Sequence, residues 1–193
     1  MDEVRLFRFL ENTQPDEMDK LGVPGSDIKR TQFLDRLCGE IAKRGVIDVL
    51  RRGIKVYPAN VVMFYETPSE KNPKAKEKFD KNFFSVTQQL QYSRDNTKLA
   101  LDMCIFISGL PAITFELKNQ LTKQDVDDAV YQYQTDRDPK ELLLQFKRCI
   151  VHFALDDARI KFCTKLEARS RGSYRLTKAT TMGQATRPTQ TAL

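Results

Sequence analysis

Residues 99–119 read LALDMCIFISGLPAITFELKN, and three charges sit inside this otherwise apolar run: Asp102, Glu116 and Lys118. The flanking Ile, Phe, Leu and Ala content is that of strands buried in a sheet. A buried charge is costly unless it is paired or bound to a metal. Side chains alternate faces along a strand, so Glu116 and Lys118 share one face, roughly 6.5 Å apart at about 3.3 Å per residue. A hairpin turning on Gly109 sets Asp102 opposite Glu116, where facing Cβ atoms lie about 4.5–5.5 Å apart. Two carboxylates at that separation repel unless a cation sits between them. Mg²⁺ suits such a pair, because it takes one or two carboxylates and completes its shell with waters and substrate phosphates. Bound there, it would acidify a water and offset charge on a phosphoryl group, with Lys118 reaching the water or the scissile phosphate. The alternative for the same three residues is a buried lysine–carboxylate ion pair without metal.

The elements that must position this trio follow from the patterning. Residues 3–11 (EVRLFRFLE) predict a first helix, followed by a turn-rich stretch to Asp27. A second helix is expected over 27–44, with Asp27 as its N-cap and Phe33, Leu34, Leu37 and Ile41 as its apolar stripe. A short helix at 46–52 ends at Gly53. Residues 54–66 suggest two short strands around Pro58, 67–78 a polar solvated connection, and 82–93 a strand with one polar face. After the two charged strands, 124–146 reads as two helices broken near Asp138-Pro139. Strands at 148–155 and 159–166 flank the polar turn Asp156-Asp157. The order gives an α/β sandwich with a mixed sheet.

Composition narrows the function classes. At 193 residues, 40% hydrophobic and 30% charged, the chain is of globular type and long enough for one domain with a core. No apolar run reaches the 18 or so residues that span a membrane, and the N-terminus lacks a signal-peptide pattern. Cys38, Cys104, Cys149 and Cys163 show no CxxC spacing, which predicts free thiols in a reducing, cytoplasmic compartment. One histidine is too few for a zinc site or a His-based triad. There is no GxxxxGK[ST] phosphate loop. The net charge of +6 is lopsided. Arg169, Arg171, Arg175, Lys178 and Arg187, with no acid among them, put +5 into residues 168–193 and leave +1 for the other 167 residues. Charge alone therefore names no partner for the body of the chain.

The stretches KNFFSVTQQLQYS, LALDMCIFISGLPAITFELKN and DVDDAVYQYQTDRDP, with RCIVHFALDDARIKFCTKL, resemble the N-terminal nuclease domain of the restriction and motor subunit of type I restriction–modification enzymes. The resemblance runs over roughly residues 1–167. It implies a PD-(D/E)xK restriction-endonuclease-like core, a mixed central sheet flanked by helices, that cuts double-stranded DNA with Mg²⁺. By position, Asp102 and Glu116 would be the metal-binding acids and Lys118 the catalytic lysine. Gln132 and Tyr133 fall where the family has a Gln/Tyr motif, expected to contact DNA or support the lysine; helix packing is the plain alternative. Arg137 would meet a phosphate, or pair at the surface with Asp136 or Asp138. Asn119 ends the strand and is expected to satisfy backbone groups, and His152 is expected to be structural. The family's nuclease is joined to an ATP-driven translocase and works with modification and specificity subunits; ATP is expected in the full-length subunit and not on this chain.

Two departures from the family pattern carry expectations of their own. Family members have a further helix and strand region upstream, so an upstream segment is expected to be missing. Residues 168–193 are basic, Thr-rich and read as a disordered tail. Suitably chosen codons for residues 171–188, read in another frame, spell a segment resembling the family's continuation, which suggests a frameshift near 167–171. A basic arm that binds DNA electrostatically is the competing reading of the tail. A truncated remnant that only docks on DNA or on partner subunits is the alternative to an active nuclease.

Overall fold

The computed structural model describes residues 1–68, 72–93, 95–119, 121 and 123–167. The tail at 168–193, and with it the frameshift and basic-arm expectations, lies outside the described residues.

Four helices and a small hairpin share one hydrophobic cluster, which Ile107, Leu110 and Ile150 join. Helix α1 (Glu3–Thr13) is capped by Asp2, whose carboxylate accepts the Arg5 backbone N–H, and it buries Leu6, Phe7, Phe9 and Leu10. Helix α2 (Pro15–Leu21) lies in the stretch read as turns. Pro15 opens it, where a missing N–H costs nothing, and Gly22 closes it in the left-handed conformation. Helix α3 (Asp27–Arg44) matches its predicted span, but Ser26 rather than Asp27 provides the cap, accepting from Lys29 N. Helix α4 (Val46–Arg52) leads into the paired strands β1 (Ile54–Val56) and β2 (Ala59–Val61). Leu6, Leu10, Met18, Leu37, Val49 and Met63 are fully buried among these elements. Helix α5 (Pro73–Asp80) occupies part of the connection expected to be loop, with Asn72 capping it and Pro73 at its first turn.

The remaining strands form a five-stranded sheet in the order β3 (Phe84–Gln91), β4 (Ala100–Ile107), β5 (Leu110–Leu117), β6 (Val151–Leu155), β7 (Ile160–Cys163). The β5–β6 pair is parallel and the other three are antiparallel, so the sheet is mixed as expected. Helix α6 (Val126–Thr135) crosses over between β5 and β6 and packs on one face of the sheet. No second helix follows it: beyond Thr135 the chain descends through turns to β6. The opposite face is apolar and partly exposed, with Phe115 stacked on Phe153 at 5.3 Å between ring centres. All four cysteines are free; burial pushes the Cys104 thiol up to about 12, so it is inert packing.

The β4–β5 connection is a two-residue turn, Ser108-Gly109, with φ of 48° and 82°. Both values are positive, as a type I′ hairpin turn requires. Its first rungs are Ile107↔Leu110 and Phe106↔Pro111; the next is Ile105↔Ile113, so Ala112 is one residue extra on β5. That bulge decides the chemistry. Continued without it, the register would set Asp102 against Phe115 and put the two carboxylates on opposite faces. With it, the rungs run through Cys104↔Thr114 to Met103↔Phe115, which aligns Asp102 with Glu116 at the next position.

Gly109 also carries α1. Its carbonyl accepts the Asp2 N–H at 2.8 Å, and a Cβ on it would lie 2.5 Å from Asp2 O and 2.6 Å from Leu6 N. Gly109→Ala is therefore expected to destabilise by more than about 1 kcal/mol, through the positive φ and through displacement of α1. An unchanged urea midpoint for this variant would contradict that reading.

Candidate active site

Thr114, Glu116 and Lys118 project from one face of β5, and the chain from α6 to Arg137 meets each of them in turn. Tyr133 Oη lies 2.9 Å from Thr114 Oγ1. Lys118 Nζ donates to Gln132 Oε1 at 2.7 Å. Arg137 Nε donates to Glu116 Oε1 at 2.8 Å. One helix and the two residues after it thus engage every polar side chain on this stretch of the strand. The helix is itself fixed at its start. Asp125 and Asp128 form a capping box, and the Asp156 carboxylate accepts Val126 N–H at 2.9 Å.

Asp156 binds the β6–β7 turn as well, accepting from Ala158 N and Arg159 N at 2.8 and 2.7 Å. Burial raises its pKa, but these backbone donors and Arg159 outweigh that and hold it at about 2. Asp156→Ala would leave the Val126, Ala158 and Arg159 amides without this acceptor. The expected loss is about 1–3 kcal/mol, seen as a lower urea midpoint; a neutral result would remove Asp156 from this account of how α6 is held.

Glu116 is a fully buried acid that is only half satisfied. It is 0% exposed, and of its two carboxylate oxygens Oε1 is bound by Arg137 while Oε2 is buried with no donor. Burial is the main cause that pushes its pKa up, to about 7. Arg137 pulls it down and the nearby Asp102 carboxylate pushes it up again. Asp102 sits where the β4–β5 ladder stops. There Asp102 Oδ2 replaces a backbone acceptor and takes the Leu117 N–H at 2.7 Å, while Oδ1 accepts from Gln89 Nε2 at 3.2 Å. Gln89 reaches it from a backbone φ of 47°.

Arg137 does not sit at the surface beside Asp136 or Asp138, as its flanking charges had suggested. It is 6% exposed and turned inward. Tyr133 is also buried and lies two residues back along β5, over the Thr114–His152 pair; Thr114 Oγ1 is 2.7 Å from His152 Nδ1. Burial pushes His152 down to about 4, so its ring is neutral at ordinary pH and acts within this buried network. Asn119 Oδ1 accepts the Leu121 N–H at 2.9 Å and caps the end of the strand. Asp102, Glu116, Lys118, Gln132 and Arg137 therefore converge at one end of β5, with Tyr133 behind them. Sequence reasoning did not single out Gln89, Tyr92 or Thr114. Thr114 had a signal, since it shares the parity of Glu116 and Lys118.

Among the described residues no group of three or more His, Cys, Asp and Glu comes together as a cation cage. The donor set here is two carboxylates, which is what Mg²⁺ takes before water completes its shell. The orphaned Oε2, on a carboxylate that interacts with a second one, fits such an ion: a buried anionic oxygen needs a cation or a proton.

A mixed sheet with a crossover helix, and two acids and a lysine clustered at the end of its central strands, defines an α/β nuclease-like domain. The chain belongs to the family described as type I restriction enzyme R protein N terminus, which matches residues 25–171. Neither the curated proteins nor the solved structures searched returned a match.

Proposed function

We propose that this chain is a Mg²⁺-dependent endonuclease domain of PD-(D/E)xK type that hydrolyses phosphodiester bonds of double-stranded DNA. The observation that carries the proposal is the Glu116 carboxylate: its Oε2 is buried without a donor among the described residues, and the group lies close enough to the Asp102 carboxylate for the two to interact. Asp102 and Glu116 would hold the ion. When bound, it supplies an acidified water and offsets charge on the phosphoryl group. Lys118, whose ammonium Gln132 holds at the mouth of the site, would contact the scissile phosphate. Gln132 and Tyr133 fix α6 relative to β5 and so keep the lysine aimed.

The family supports DNA and the other members of a restriction complex as partners; in this reading these are double-stranded DNA and the modification and specificity subunits. Phage defence in the cytoplasm is the setting proposed with this reading. Among the described residues no helix is long and apolar enough to cross a membrane. Base recognition would belong to another subunit, and ATP to a motor.

Calorimetric titration with Mn²⁺ or Mg²⁺, on the wild-type chain and on Asp102→Ala, tests the assignment. Binding is expected for the wild type and should vanish in the variant, with metal-dependent nicking of plasmid DNA following the same pattern. A folded wild type that binds neither ion would refute the nuclease reading and leave the docking remnant in its place.

A further inference from the structure

Resting on that metal reading, we infer that Arg137 is a positioning residue for the metal seat. By occupying Glu116 Oε1 and gripping the ends of β3 and β4, it leaves Oε2 as the donorless oxygen and sets the separation of the Glu116 and Asp102 carboxylates.

The need for such a residue follows from the ladder. The last β4–β5 rung is Met103↔Phe115, one short of the acids. Beyond it, backbone pairing no longer dictates how far Asp102 stands from Glu116. Arg137 spans that gap. Its Nε holds Glu116 Oε1 on β5 at 2.8 Å, and its Nη2 donates to the carbonyl of Ala100, the first residue of β4 and two before Asp102, at 2.7 Å. Its Nη1 lies 3.5 Å from the hydroxyl of Tyr92, just past β3, and the guanidinium carbon is 5.6 Å from the centre of that ring. Three strand ends are thus referenced to one rigid, planar group. A lysine would balance the charge of Glu116 but lacks the fork to reach all three. With Oε1 bound to Arg137, Oε2 is the Glu116 oxygen left without a protein donor, and so the one that most needs an ion. Hydrogen-bonded partners of metal-binding carboxylates commonly matter in this way, and losing one typically weakens metal affinity about 10–100-fold.

Arg159 provides the control. It too is multiply bonded, to Asp125, Asp127 and Asp156, but it does so at the surface and at the far end of α6. The experiment is Mn²⁺ titration of the whole chain for wild type, Arg137→Lys, Arg137→Gln and Arg159→Gln, with Tm recorded for each. Arg137→Lys keeps a cation beside Glu116 and so keeps the inference testable if Arg137→Gln does not fold. The expected result is a folded Arg137→Lys whose Mn²⁺ Kd rises about 10–100-fold, against an Arg159→Gln that loses Tm and retains wild-type affinity. Wild-type affinity in Arg137→Lys would overturn the positioning role while leaving the metal site standing. Equal loss of affinity in Arg159→Gln would reduce Arg137 to a general stabiliser and overturn it as well. A wild type that binds no Mn²⁺ would remove the metal reading and this inference together.

Discussion

Lys118→Ala is expected to separate metal binding from cleavage: plasmid nicking should fall about 10²–10³-fold, while Mn²⁺ affinity stays close to wild type. The split follows from geometry. Lys118 stands two residues past Glu116 on the same face of β5 and is held by the Gln132 carbonyl, whereas the carboxylates have their own partners, Arg137 for Glu116 and the Leu117 amide for Asp102. The lysine adds no oxygen to an ion's shell. Its contribution falls on the charge that develops at the phosphate, where a preformed donor counts most. Gln132→Ala should follow in the same direction with a smaller loss, because it frees the ammonium without removing it. Loss of Mn²⁺ binding in Lys118→Ala would mean that the lysine builds the carboxylate pair rather than acting on substrate, and its assigned role would fail.

How far the sequence alone led to this site depends on which interactions were local. The apolar strand pattern, the alternation that puts Glu116 beside Lys118, and the glycine turn are all local, and the hairpin is where they placed it. Yet a turn centred on Gly109 reaches the right alignment by a different route. The turn is one residue tighter, and the bulge at Ala112 restores the offset. Alternation shows which residues share a face of one strand; it does not reveal an extra residue that shifts pairing between two. Helix α2 had its signals, Pro15 and Gly22, in a stretch whose polar composition hid them. The inward turn of Arg137 had none, because its acidic neighbours satisfy it on paper, and only the buried Glu116 draws it into the core. Long-range burial overrides adjacent charge because an uncompensated charge in the interior costs more than a solvated ion pair returns.

Glu116→Gln should abolish metal binding and at the same time make the metal-free chain more stable at pH 8. The carboxyl of Glu116 is raised from 4.5 to about 7 by burial. A carboxyl raised on folding contributes stability that is fully present below its unfolded pKa and is lost as pH rises through its folded value. Wild-type stability should therefore decline between about pH 4.5 and pH 7, by up to about 3 kcal/mol at about 1.4 kcal/mol per pH unit. Glutamine mimics the neutral form at every pH and keeps an oxygen for Arg137 Nε. The attraction of Arg137 for the ionised acid is already contained in the raised value, so it does not reverse the sign. Urea unfolding at pH 5 and pH 8 should show the two proteins close together at the lower pH and the variant ahead at the higher one. Mn²⁺ should then stabilise the wild type, since an ion that binds only the folded state shifts the balance by mass action, and leave Glu116→Gln unmoved. A variant no more stable than wild type at pH 8 would show that Glu116 carries no strain in the metal-free protein. The result expected instead ties the two properties to one atom: the unpaired Oε2 that weakens the fold at pH 8 is the oxygen that would receive the ion.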